Sequence, residues 1–338
     1  MAKHLNLTRV LLLISLLWTL GLIMLGAWVR LHDAGLGCPD WPGCYGRITP
    51  PEAAHEIAHA ERHFGGDVNP GKGWKEMIHR YAVGGYGLLL LLTCALLWRQ
   101  RRQHALPAWL VLAPLAVLVF QALLGMWTVT LKLMPAVVTA HLLGGMSLLA
   151  LLAALAARDT LAPLQPQRGL TLLATTALLL CIAQIALGGW VSSNYAALAC
   201  NGFPACQGGF APPPGLAEAL RPDRALGLGA DGQPLSIDHL AAIHWLHRLG
   251  ALLLSLAIVL TLWRSWRIAP RHAALLLSAL LLQVLLGVAN VEFGLPLPLA
   301  VAHNGGAALL LIVLTTLVVR CRQEARHAEP FTRLSFSR

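Results

Sequence analysis

Apolar runs long enough to cross a lipid bilayer recur along this chain, and no other feature restricts its fold as strongly. A helix needs about 20 apolar residues to span the hydrocarbon core. In lipid every backbone polar group must be satisfied internally, which leaves helices or closed barrels. These runs are unbroken rather than alternating, so they exclude a barrel. Of the 338 residues 57% are hydrophobic and 12% charged, and the mean hydropathy is +0.65. A soluble domain carries about twice that share of charge. The chain therefore reads as an all-α integral membrane protein. The runs predict eight transmembrane helices, over 8–30, 77–98, 106–130, 136–157, 169–191, 240–263, 271–292 and 298–320.

A net charge of +10 would suggest nucleic acid in a soluble protein. Here the basic residues cluster at one set of helix ends: Lys3 and Arg9; Arg99, Arg101 and Arg102; Arg158 and Arg168; Arg264, Arg267 and Arg271; Arg320, Arg322 and Arg326. That is the positive-inside pattern, so both termini are expected in the cytoplasm and no nucleic acid partner is implied. Two long loops, 31–75 and 192–239, fall on the other side with most of the acidic residues. Trp28, Trp74, Trp190 and Trp245 lie towards that face, and Trp98, Trp109, Trp263 and Trp266 towards the other, as two interfacial belts. The first apolar run, Val10 to Val29, exceeds the apolar region of a signal peptide, and no small-residue cleavage site follows. It reads as a retained helix, and the bacterial cytoplasmic (inner) membrane is the expected location.

The two halves repeat. Leu25-Gly-Ala-Trp-Val29 matches Leu187-Gly-Gly-Trp-Val191, Cys38 and Cys44 match Cys200 and Cys206, Gln121-x-Leu-Leu-Gly125 matches Gln283-x-Leu-Leu-Gly287, and His141 matches His303, each pair 162 residues apart. His79 and His247 are 168 apart, the extra residues lying in the second loop. This predicts a tandem pseudo-two-fold repeat of two four-helix bundles, residues 1–160 and 161–338, in the same orientation.

Ionisable residues inside membrane helices mark function by default. His79, His141, His247 and His303 lie near the same end of helices 2, 4, 6 and 8, at similar depth and two per unit. Paired imidazoles projecting into a helical bundle suit the axial ligation of haem iron. An interhelical hydrogen bond accounts for one such histidine but poorly for four in register. Zinc fits less well, because no cysteine or carboxylate completes a tetrahedral set at that depth. Gly84, Gly85, Gly144, Gly145, Gly250, Gly305 and Gly306 follow the histidines and would leave room for a flat macrocycle or for close helix packing.

Arg80 and Arg248 directly follow two of the histidines, placed either to pair with haem propionates or to snorkel to headgroups. Glu76 lies one turn before His79, while the equivalent position holds His244. A carboxyl there is either a proton-exchanging group or an acid favoured by a helix N-terminus. Cys38-x5-Cys44 and Cys200-x5-Cys206 sit in Pro- and Gly-rich loops outside the cytoplasm and suit local disulfides, as staples or as redox-active pairs. Cys94, Cys181 and Cys321 are single. Pro51 to Phe64 reads as a short helix with His55, His59 and His63 on one face. A solvated helix is favoured over a metal site there, since Glu52, Glu56 and Glu61 surround those histidines.

Taken together, Glu76-x-x-His79-Arg80, His141, His247-Arg248 and His303 on alternate helices, with cysteine pairs in the first and third outer loops, resemble the haem A synthase family over nearly the whole chain. The resemblance implies an oxidoreductase that converts haem O to haem A by oxidising the C8 methyl to a formyl group in successive hydroxylations, for cytochrome oxidase assembly. It implies that His79 and His141 flank the substrate haem and that His247 and His303 ligate a haem b. Glu76 would be the catalytic carboxylate, and Cys38–Cys44 and Cys200–Cys206 the loop disulfides. The partners it brings are haem O, membrane lipid and an electron donor it does not identify; haem O synthase, cytochrome oxidase assembly factors and a second copy of the chain are further candidates. The rival readings are a dihaem electron-transfer subunit of the quinol-oxidising cytochrome b kind and a transporter with inverted repeats. Glu76 in one unit and the paired cysteines favour the synthase over the first. The shallow depth of the histidines argues against the second, whose site would sit at the midplane.

Overall fold

A computed structural model describes residues 7–102, 106–165, 167–229 and 232–323; Lys3 and Arg326 lie outside the described residues. The described residues form helices α1 (Leu7–Leu31), α2 (Ala54–Phe64), α3 (Pro70–Gln100), α4 (Ala108–Thr130), α5 (Pro135–Thr160), α6 (Arg168–Ser193), α7 (Leu216–Ala219), α8 (Ile237–Ser265), α9 (Pro270–Glu292) and α10 (Leu297–Arg322). Eight of them are long and apolar enough to span a membrane, and the chain is a multi-pass membrane protein. The predicted spans match these eight apart from their ends. The largest difference is at α3, which begins at Pro70 rather than 77. Asn69 caps it, its side chain accepting from the Lys72 N–H at 3.0 Å, and Pro70 takes the first helical position, where no N–H is needed. The polar stretch Gly71 to Glu76 is thus helix, and Glu76 sits within α3 rather than at its mouth.

The helices alternate in direction, so one end of the molecule carries the loops after α1 and α6 and the other carries the arginine-rich turns. Packing follows two closed circuits. α1 touches α3, α3 touches α4, α4 touches α5, and α5 returns to α1; α6, α8, α9 and α10 repeat the pattern. Between the circuits α5 packs on α10, and α1 on α10 is mirrored by α6 on α5. The pseudo-two-fold axis shows directly where repeat-equivalent residues meet. Arg30 donates to the Ser192 carbonyl at 2.9 Å, and Tyr195 donates to Asp33 at 2.7 Å, both pairs 162 residues apart.

Two apolar cores result, the second of which extends to Ile23, Met146 and Leu149 of the first circuit. One is built on Leu12, Tyr86, Leu90, Val111 and Leu152, the other on Ile258, Leu276, Leu310, Leu314 and Leu317. The outward face is equally apolar, with Leu88, Val119, Leu172, Leu252 and Trp263 exposed, as a lipid-facing surface requires. Apolar contrast cannot hold such helices together, so packing and interhelical hydrogen bonds do. Buried Ser15 pairs with Thr93 at 3.0 Å, and Thr19 donates to Tyr86 at 2.8 Å, tying α1 to α3. At the arginine-rich end Arg9 is paired with Asp159.

The loop after α1 folds into a Cys38–Cys44 disulfide turn and then the amphipathic α2. Glu56 accepts the N–H groups of Glu52 and Ala53 at 3.1 and 3.2 Å and pairs with Arg47 at 2.6 Å. The Glu52 N–H first, then Arg47 and the Ala53 N–H, hold its carboxyl down at about 2. The loop after α6 carries the Cys200–Cys206 disulfide and α7. The buried Arg224 fastens it by donating to Asn194 at 2.6 Å and to the Ala219 carbonyl at 3.0 Å. With Cys94, Cys181 and Cys321 free, thiol titration of the denatured protein should count three thiols before reduction and seven after. More than three before reduction would remove one of the staples.

Candidate functional site

The four histidines occupy equivalent places. Each lies roughly two to three turns from the start of its helix, on α3, α5, α8 and α10, all of which begin at the disulfide end. Within each circuit the two histidine-bearing helices are not neighbours: α3 and α5 face each other across the first bundle, α8 and α10 across the second. His79 and His141 are within electrostatic reach of one another, and so are His247 and His303. Two imidazoles facing across a bundle axis are the arrangement that axial ligation from both sides of a flat group requires.

The helices between them serve as docking walls, and glycine makes the approach possible. A Cβ on Gly26 of α1 would lie 3.3 Å from His79 Nε2, and one on Gly125 of α4 3.4 Å from His141 Cε1. The second bundle repeats this, with Gly188 of α6 at 3.2 Å from His247 Cε1 and Gly287 of α9 at 3.1 Å from His303 Cε1. Four residues before three of these glycines stands a glutamine: Gln121, Gln184 and Gln283. Gln184 Nε2 donates to the His247 carbonyl at 2.9 Å and lies 3.0 Å from its Nδ1, while Gln283 Nε2 is 3.3 Å from His303 Nε2. The glutamine amides fill notches left by Gly144, Gly250 and Gly306, where an added Cβ would fall within 2.3 Å of the amide. These three glycines, expected to make room for a macrocycle or for close helix packing, admit side chains that touch the histidine layer. Sequence reasoning used the Gln121 and Gln283 motifs as repeat markers and did not assign them a role; the signal was there, as a polar residue four before three of the docking glycines.

Among the described residues, the same layer holds buried polar atoms without a protein partner: His141 Nδ1, His303 Nδ1, Gln121 Nε2, Gln184 Oε1 and Gln283 Oε1. In an apolar bundle such atoms are costly unless something else engages them. Diagonal histidine pairs, glycine walls and orphaned donors and acceptors at one depth fit a haem in each bundle.

The arginines reach the disulfide turns. Arg80 Nη1 donates to the carbonyls of Asp40, at 3.0 Å, of Pro42, at 3.2 Å, and of Gly43, and its Nη2 pairs with Glu76 at 2.5 Å. Arg248 Nη1 donates to the equivalent carbonyls of Gly202, Pro204 and Ala205, at 2.9, 3.4 and 2.9 Å, and its Nη2 to Cys200 at 3.3 Å. Each guanidinium thus holds the disulfide turn onto the helix that bears the histidine. The turns are copies of one another, down to the cis bonds Trp41–Pro42 and Phe203–Pro204 and the left-handed Tyr45 and Gln207.

Glu76 is 6% exposed, and the first turn of α3 contains no acidic residue, so a dipole-favoured terminal acid does not describe it. Its Oε2 accepts the Cys38 N–H at 2.9 Å while Oε1 faces Arg80. In the second bundle His244 takes this position and accepts from Arg248 Nε at 3.3 Å. On α2, His55 and His59 line a surface cavity of about 280 Å³ with Tyr45, Arg47 and Glu56. No group of three metal-ligating side chains converges among the described residues.

Residues 9–315 match the family model described as COX15-CtaA, cytochrome oxidase assembly protein. The chain is 45% identical over 320 residues to the haem A synthase of Shewanella oneidensis, covering 91% of this chain and 94% of that one. It is 28% identical to the haem A synthase of Alkalihalophilus pseudofirmus, covering 83% and 84%, and 28% identical to that of a Chelativorans species, covering 92% and 88%.

Hydrogen bonds to a charged group each contribute about 1.5–3 kcal/mol. Arg248→Ala should therefore speed opening of the Cys200–Cys206 turn, read as alkylation after brief exposure to reductant, by roughly tenfold or more. A wild-type rate in that variant would mean the carbonyl contacts do not hold the turn.

Proposed function

The chain belongs to the COX15-CtaA family of cytochrome oxidase assembly proteins, and on that premise we propose that it is a haem A synthase that oxidises the C8 methyl of haem O to a formyl group by successive hydroxylations. The observation that carries the division of labour is a difference between two closely matching frames. Both bundles have diagonal histidines, glycine walls and an arginine-held disulfide turn, and only the first has Glu76 where the second has His244.

Residues 1–160 form the substrate unit, in which His79 and His141 hold haem O. Residues 161–338 form the unit in which His247 and His303 hold a haem b. When bound, a haem b there would supply one-electron transfer chemistry. Glu76 is fixed by the Cys38 N–H and Arg80, which leave each carboxylate oxygen with further acceptor capacity. Its carboxylate takes up a proton as C–H bonds of the methyl group are replaced. Arg80 and the Cys38–Cys44 turn close the outer end of the bundle above it and limit water entry. The arginine distribution supports a bacterial inner membrane location with both termini cytoplasmic.

Glu76→Gln keeps the side-chain volume and removes the base. It should leave haem content unchanged while extracted pigments stop at haem O or its alcohol, with haem A formation reduced about 100-fold or more. Separation and mass measurement of the extracted haems checks this. Normal haem A formation would confine Glu76 to pinning the Cys38 turn.

A further inference from the structure

The docking walls differ at one place, and two residues differ there together. In the second bundle Gln184 of α6 lies against His247, and its amide fills the notch at Gly250, where a Cβ would fall 2.2 Å from Oε1. The repeat equivalent of Gln184 is Leu22, and that of Gly250 is Ala82. The first bundle therefore lacks the polar side chain and also the notch that would seat it. The other wall does not change: Gln121 with Gly144 and Gln283 with Gly306 are kept in both bundles. His79 is left with the Gly26 surface and the main chain of Leu22 beside its ring, and no hydrogen bond to another side chain is present among the described residues.

We propose that the Gln184–Gly250 pair locks His247 as a permanent haem ligand, and that the Leu22–Ala82 pair leaves His79 free to release the haem it binds. The physical reason is orientation. A ligating imidazole is held by whatever engages the rest of the histidine, and such partners change metal affinity by about 10–100-fold. Gln184 donates to the main-chain carbonyl of His247 and its amide packs against the ring, so the histidine is held from its backbone and the imidazole has no room on that side to turn into. A leucine at position 22 offers no such restraint. An enzyme that takes in one haem and delivers another needs one exchangeable ligand in the substrate bundle, and a resident electron carrier needs none. Gln184 is a positioning residue in this scheme.

The inference rests on the haem A synthase reading and is tested by haem release rather than turnover. Purified haem-loaded protein is mixed with excess apomyoglobin, and transfer is followed by absorbance. Wild type should release in two phases, the fast one carrying haem O or haem A and the slow one haem b. Gln184→Leu with Gly250→Ala should speed the slow phase roughly tenfold or more and shift part of the low-spin haem b spectrum to high spin. Leu22→Gln with Ala82→Gly should slow the fast phase by a similar factor. The two pairs lie in different bundles, so if circular dichroism shows one variant misfolded the other still decides. Unchanged release phases in a folded variant overturn the proposal. Wild-type protein without any haem absorption would instead overturn the haem reading itself.

Discussion

A polar side chain inside a membrane-spanning bundle has no water to turn to, so another element must meet it at the right depth. The architecture of this chain follows from that constraint applied to four imidazoles. Glycine at 26, 125, 188 and 287 lets a neighbouring helix approach each ring closely, and glutamine from the same walls brings an amide to the layer. The walls are the helices that alternate with the histidine helices around each circuit. A Cβ at any of the four would lie 3.1–3.4 Å from a ring atom, tighter than ordinary contact, so ring or wall would have to shift.

The same reasoning accounts for the outer end. Both disulfide turns present three carbonyls that face inward and lack strand or helix partners, and a single arginine from the histidine helix meets all three. The arginine follows the histidine directly, so the turn's position and the ligand's position are set by one turn of helix. Glu76 belongs to this cluster as well as to the proposed chemistry: it accepts the Cys38 N–H and faces Arg80. Loop, acid and histidine form one connected assembly in the first bundle. In the second, His244 keeps the contact to the arginine without a carboxylate.

Apolar length made the spans legible, because a helix crossing lipid needs an unbroken run and few other structures have one. The 162-residue register made the repeat legible, and with it the set of histidines. Polar helix starts were harder. Gly71 to Glu76 reads as loop by hydropathy, yet Asn69 and Pro70 begin α3 there through capping rather than through burial. The carbonyl contacts of the arginines were not legible for a different reason. A basic residue beside a ligand has the same sequence signature whether it reaches a propionate or a carbonyl, and only the folded turn shows that three carbonyls converge on it. The glutamines could be given no role from sequence because a polar residue within an apolar run gains meaning only when its partner helix is known.

The divergence between the halves is instructive because its changes come in fitted sets. Gln184 needs the Gly250 notch, and Leu22 faces a bundle where that position is Ala82. A glutamine placed at 22 without a glycine at 82 would be pressed against a Cβ, and a glycine at 82 without the glutamine would leave a void in a packed bundle. Neither single change is favourable, which ties the two positions to one property of the site. Glu76 against His244 is a second such difference, one turn from the histidine whose wall has changed. Both alterations fall around His79, while the wall of His141 matches that of His303. Chemistry and release would then be built on one side of the substrate, with the opposite ligand kept in its inherited frame to hold the ring while the other side works.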